Sequence, residues 1–239
     1  MPRLPSPAES FYLRSHRLNE SLGGPKRIRL PDLVLKELSQ RRHRYYCVSK
    51  HLQEHPNLSA LELGFGSPEI AAALASLVRS YHIVDVVDRR GDSNLPDNVP
   101  FTQADLNHDF PFSDDQFDCT IAMMVIEHLF DPFQSFCEIA RITRRGGKVL
   151  INLPNIGSFR CRLQLLGGRI PITSSRDWFE KREWDGNHLH YFTVSETIRI
   201  AAKYGLTLDS VHSVGNHLWL KDLRPSLFCH EISFAFSKR

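Results

Sequence analysis

The stretch LELGFGSPEI, Leu61–Ile70, carries an apolar run onto two glycines, Gly64 and Gly66. A carboxylate, Glu62, stands just before them, and a serine, a proline and an acid follow. A strand that ends in glycines and feeds a helix N-terminus is a ligand-binding geometry. Glycine lets a ligand approach the backbone, and the helix end offers free N–H groups. A dinucleotide is the first candidate, and one position argues against it. Gly64 and Gly66 fit a G-x-G-x-x-G pattern, but the third place is Glu69. A glycine is wanted there for close packing, and a carboxylate repels a pyrophosphate. A ligand without a pyrophosphate fits better. Further along, His128, His188 and His190 are the side chains able to exchange a proton near neutral pH, with a backbone-bonded structural role as the competing reading for each.

The elements that must hold these groups read as one soluble globular domain. The chain has 239 residues, 41% hydrophobic and 24% charged, enough for a sizeable core and a small appendage. A net charge of +3 is too weak to argue for a nucleic-acid partner. The basic runs at 26–29 and 41–44 read as solvated helix faces. The cysteine count of 5 is odd and there is no C-x-x-C pattern, which fits a reduced compartment. The first ten residues contain no apolar signal core, and no apolar run approaches the ~18 residues of a membrane span. A cytoplasmic location is therefore expected.

Helical spacing runs from Leu30 to Leu52 and breaks at Pro56-Asn57. Strand and helix signals then alternate. LSALELG reads as a strand, and SPEIAAALASLVRS reads as a helix with Ser67 as N-cap and Pro68 at its first position. YHIVDVVD reads as a strand ending at Asp88, VPFTQADL as a short one, and FDCTIAMMVI as one covered on both faces. Asp131-Pro132 opens a helix that Gly146-Gly147 closes, and KVLINLP is the next strand. The periodicity fades between Asn155 and Tyr191. Thr193 and Glu196 then form a capping box, and two alternating strands, LTLDSVHSV and EISFAFSKR, close the sheet. The expected fold is α/β, a doubly wound Rossmann-like sheet, mostly parallel with an antiparallel C-terminal strand.

On these residues the chain resembles the class I S-adenosylmethionine-dependent methyltransferases of the small-molecule type. LELGFGS resembles their first motif. VDVVD ends at Asp88, where the family places the acid that holds the ribose hydroxyls. Its separation from Gly66, 88 − 66 = 22 residues, is close to the ~20 expected for such an acid one strand further on. FTQADLNHDFPFSDDQFDCTIAMMVIEHLFDP, RRGGKVLINLPN and NHLHYFTVSETIRIAAKYGL resemble later blocks, in the family's order, so that the likeness runs from about Leu58 to Lys238. The resemblance implies S-adenosyl-L-methionine as cofactor, held by Glu62, Gly64, Gly66, Asp88, Asp105, Leu106 and Met123. It implies a helical extension over residues 1–55 and a methyltransferase domain over 56–239, interrupted by an insertion at about 156–192.

His188 and His128 are the expected catalytic groups, each as a base if the acceptor must lose a proton. Met124 stands four positions before His128, where metal-binding relatives have an acid, and no metal ion is expected. Trp178, Phe179 and Trp184 are candidates to cover an acceptor. The expected reaction is methyl transfer to oxygen, nitrogen or carbon of a small molecule. A nucleic acid is not expected as acceptor, because MVIEHL stands where a base-gripping Asn/Asp-Pro-Pro-aromatic motif belongs. The remaining alternative is a protein of this fold that binds the cofactor without catalysis.

Overall fold

The computed structural model describes residues 30–88, 99–174, 179–182 and 184–239. The strands are β1 Ser59–Leu63, β2 Ser80–Asp85, β3 Phe101–Gln103, β4 Phe117–Met123, β5 Thr143–Pro154, β6 Leu206–Ser213 and β7 Glu231–Lys238. They form one sheet in the order β3-β2-β1-β4-β5-β7-β6. The pairings from β3 to β5 are parallel, and β7 lies antiparallel between β5 and β6. The chain runs outward from β1 to β3 and then returns to β4 on the other side of β1. That reversal opens a crevice at the carboxyl ends of β1 and β4, the position where open α/β sheets bind ligands.

Eight helices accompany the sheet among the described residues. α1 Leu30–Leu38, α2 Tyr46–Glu54 and α3 Pro68–Ala75 lie in the first part of the chain. α4 Pro132–Ile142, α5 Phe159–Leu166, α6 Val194–Lys203, α7 Leu218–Leu223 and α8 Pro225–Phe228 follow. The core divides between the two faces of the sheet. One cluster joins α1, α2 and α3 to β1, β2 and β4 through Val34, Leu52, Leu74, Ile83 and Ile121. The other joins α4 and α6 to β4, β5 and β7 through Phe136, Ile139, Ile151, Ala201 and Phe234.

Local chemistry explains where the elements start and stop. Asp131 caps α4 by accepting from the N–H groups of Phe133 and Gln134, at 2.8 and 3.2 Å. Thr193 caps α6 through Glu196 N–H. At α3 the Ser67 hydroxyl instead donates to the Glu69 carboxylate at 2.6 Å, and Pro68 sets the first turn. Three expected boundaries move. The Leu30–Leu52 pattern is broken between α1 and α2. α4 ends at Ile142, not at the glycine pair, because Thr143 already pairs with Phe117 in the sheet. The register then slips at a bulge, where a Cβ on Gly147 would lie 2.8 Å from the Arg144 carbonyl oxygen. β2 ends at Asp85, since its pairing with β3 stops at Gln103. The expected strand through Asp88 is therefore three residues too long. All five cysteines are free thiols, and no described helix is long and apolar enough to cross a membrane.

Candidate active site

The crevice holds a cavity of about 600 Å³. Its walls come from the β1–α3 turn (Gly64, Gly66), the end of β2 (Asp85), the loop after β3 (Asp105, Leu106) and the end of β4 (Met123, Val125, His128). Gly186 and Asn187 of the inserted segment complete it. A second cavity of about 520 Å³ adjoins it and shares Gly66, Met123 and Met124. Leu38, His43, Arg44 and Tyr45, from α1 and the turn into α2, line that second space together with Ile70.

The two glycines are bare for different reasons. Gly64 has φ +79°, and a Cβ there would stand 2.5 Å from Val125 Cγ2, so the fold itself excludes a side chain. At Gly66 the nearest atom to such a Cβ is the Tyr45 hydroxyl at 3.6 Å, an ordinary contact. No protein neighbour requires a glycine there, and the position faces both cavities.

The carboxylates divide in the same way. Asp85 and Asp105 line the cavity. Asp85 also accepts from the backbone N–H groups of Phe65 and Val87, which ties the glycine turn to the end of β2. Asp105 accepts from the backbone and side-chain N–H groups of Asn107, each at 2.9 Å, and these hold its carboxyl below the usual range. Asp88 is exposed beyond the strand end and lines neither cavity. Asp85, rather than Asp88, is the acid that the structure brings to the glycine turn.

Glu62 is buried inside β1 and lines neither cavity. Tyr45 and Tyr81 donate to its two oxygens at 3.0 and 2.8 Å. Burial pushes its pKa up from 4.5 to about 7, against the opposing pull of the two phenols. The folded protein therefore binds a proton that an unfolded glutamate has released, and stability falls as pH rises between those two values. Glu127, pushed up by burial to about 8, acts in the same direction. Glu62→Gln is expected to shrink this pH dependence by on the order of 3 kcal/mol at most. Urea unfolding at pH 5 and pH 8 measures it, and an unchanged difference between the two would refute the assignment.

Of the expected catalytic histidines, His128 lines the first cavity and His188 lies behind it. Their rings are 4.8 Å apart and meet edge-on. His188 is 6% exposed, its Nδ1 is 2.8 Å from Thr173 Oγ1, and burial lowers its pKa. His190 faces the Phe130 carbonyl oxygen at 3.0 Å. Phe179 and Trp184 are exposed and line neither cavity, and Trp178 lies outside the described residues. The contributions of Tyr45, Tyr81 and Thr173 had no signal in the sequence, because they rest on contacts between distant segments.

Two carboxylates, a bare backbone turn and apolar walls fit an adenosyl group, whose hydroxyl and amino groups need acceptors. Comparison with known proteins agrees. Residues 61–151 match the methyltransferase domain family. An S-adenosylmethionine-dependent methyltransferase from Mesorhizobium loti superposes with a TM-score of 0.62 at 14% identity, over 82% of this chain and 97% of that one. Magnesium protoporphyrin IX methyltransferase from Synechocystis, solved with bound SAH, superposes with a TM-score of 0.59 at 11% identity, over 97% and 96%. A possible histamine N-methyltransferase from Thermotoga maritima gives 0.58 at 16% identity, over 96% and 97%. At these identities the likeness is one of fold. An uncharacterized 37.1 kDa protein in transposon TN4556 of Streptomyces fradiae is 29% identical over 116 residues. The match covers 44% of this chain and 32% of that relative, so the chain spans about a third of the relative's length.

Proposed function

We propose that the chain is a class I S-adenosylmethionine-dependent methyltransferase, with S-adenosyl-L-methionine as its cofactor, that transfers a methyl group to a small-molecule acceptor; the match of residues 61–151 to the methyltransferase domain family and the fold shared with solved methyltransferases support this reading. The observation that carries this reading is the pair of cavities meeting at Gly66, Met123 and Met124. The first has the acids and bare backbone that suit the cofactor. The second has the size and mixed lining of a small-molecule site.

The residue roles follow from chemistry. The turn at Gly64–Gly66 takes the amino-acid end of the cofactor. Asp85 accepts from the ribose hydroxyls, while Asp105 and Leu106 border the adenine. The cofactor supplies an already activated methyl group, so the protein's main task is to align an acceptor with it. His128, on the wall of the first cavity with the His188 ring against it, is the candidate group to withdraw an acceptor proton. His43, Arg44 and Tyr45 place polar groups around the acceptor, and Leu38, Ile70 and Met124 hold its apolar part.

Calorimetry with S-adenosylmethionine, followed by labelled-methyl transfer to fractionated metabolite extracts, tests the reading. Binding and a labelled product are expected. Binding with no product from any extract would favour a cofactor-binding protein without catalysis. The ribose assignment has its own test. Asp85→Ala removes charge-assisted hydrogen bonds worth roughly 1.5–3 kcal/mol each, so cofactor affinity is expected to fall at least ~10-fold. Asp88→Ala is expected to leave it near wild type. The reverse order of effects would return the ribose contact to Asp88.

A further inference from the structure

Glu127, His128 and His188 converge beside the first cavity, with one donor atom from each within 4.8 Å of the others. We propose that these three side chains bind a divalent transition-metal ion of the zinc class. The site stands independently of the methyl-transfer reading.

Two observations carry it. The first is Glu127. Its side chain is wholly buried, and among the described residues neither carboxylate oxygen has a hydrogen-bond partner. A buried carboxylate without partners is costly and calls for a cation or a donor.

The second is the orientation of the imidazoles. Thr173 Oγ1 lies 2.7 Å from Asp185 Oδ2 and 2.8 Å from His188 Nδ1. The Asp185 carboxylate also accepts from the N–H groups of Thr173 and Ser174, so the threonine proton goes to Asp185. The hydroxyl oxygen then accepts from His188 Nδ1–H. His128 Nδ1 faces the Asn187 carbonyl oxygen at 3.2 Å, which can only accept. In the neutral form, both histidines therefore carry the proton on Nδ1 and keep an Nε2 lone pair. Ligating histidines are oriented in this way by the partners behind them. The supporting turn is itself strained: Asp185, Gly186 and Asn187 have φ of 41°, 64° and 64°. Successive left-handed residues persist where the surroundings demand them.

Two imidazoles and one carboxylate suit zinc, cobalt or nickel, whereas magnesium and calcium prefer oxygen donors. Zinc bonds of ~2.0–2.2 Å bring donors closer than the present spacing, so the ion draws the three side chains together. Three protein donors leave a coordination position open, and His128 is the donor that lines the cavity. Met124 had argued against a metal; the third donor comes instead from His188, in the inserted segment.

Chelator-treated full-length protein titrated with ZnCl2 by calorimetry is expected to bind one ion per chain, and MgCl2 to give no comparable heat. CoCl2 is expected to develop the visible absorption of tetrahedral coordination. Glu127→Gln keeps the side-chain shape and is expected to weaken zinc binding at least ~100-fold, with Thr173→Val weakening it ~10–100-fold through loss of orientation. Should Glu127→Gln not fold, His128→Ala, at a partly exposed side chain, is expected to give the same loss. His55→Ala removes half of the other close histidine pair, His51 and His55, whose rings are 4.6 Å apart, and is expected to change nothing. The proposal is overturned if the wild type binds no zinc at one per chain. It is equally overturned if Glu127→Gln or its substitute binds normally, or if His55→Ala abolishes the signal.

Discussion

Gly66→Val is expected to abolish binding of S-adenosylmethionine in a protein that still folds. Nothing in the fold forbids a side chain there: the nearest atom to an added Cβ is the Tyr45 hydroxyl at 3.6 Å, and the position is not among the left-handed glycines. The branched side chain would project into the space where the two cavities join. An affinity loss on the order of 10²-fold or more corresponds to roughly 3 kcal/mol. Gly64→Ala supplies the contrast. Its Cβ would stand 2.5 Å from Val125 Cγ2 at a positive φ, so its damage is expected in stability, of order 1–3 kcal/mol or more. Circular dichroism and calorimetry on both variants separate the two effects. A folded Gly66→Val protein that binds the cofactor normally would remove the first cavity from consideration as its site.

His188→Ala is expected to lower methyl transfer per folded molecule by ~10²-fold or more, with cofactor affinity nearly unchanged. His188 lines neither cavity, whereas Asp85 and Asp105 line the first, so the proposed adenosine contacts are expected to stay intact. On the proposed reading, its loss removes a group that would act on the acceptor proton, directly or through an ion held with Glu127. A purely structural histidine would instead lower the melting temperature and leave turnover near wild type. Turnover at saturating cofactor, measured beside the calorimetric dissociation constant, decides between them.

The glycine turn was legible in the sequence because its signals are local. A strand running into Gly64 and Gly66 and a helix opening at Ser67-Pro68 lie within a few residues of sequence, although the Val125 contact that bars a side chain at Gly64 does not. The end of β2 was not legible. Val86 and Val87 continue the β-branched pattern past Asp85, and nothing in their types shows that β3 offers no partner beyond Gln103. Strand length here is set by a neighbour, not by propensity. α5 escaped notice for a related reason. Phe159, Leu163 and Leu166 recur at helical spacing, but all three are exposed and only Cys161 is buried. The Thr173–Asp185–His188 chain was beyond reach as well, since hydrogen bonds across 12 and 15 residues leave no periodic trace. Glu62 was expected at the cofactor, and its place inside β1 was not legible. Its partners, Tyr45 and Tyr81, come from a helix turn and a neighbouring strand that only folding brings together.

The place of β7 in the sheet bears on how this chain can be cut. The region that matches the family stops at residue 151, inside β5, whose far side is paired with β7 from Lys148 to Pro154. A fragment excised on that boundary would leave Lys148-Val-Leu-Ile as an open border of bare N–H and C=O groups along an apolar strand. Such a border recruits other chains. Residues 231–238, although outside the matched region, thus cover that border, and a shortened form that lacks them is expected to aggregate.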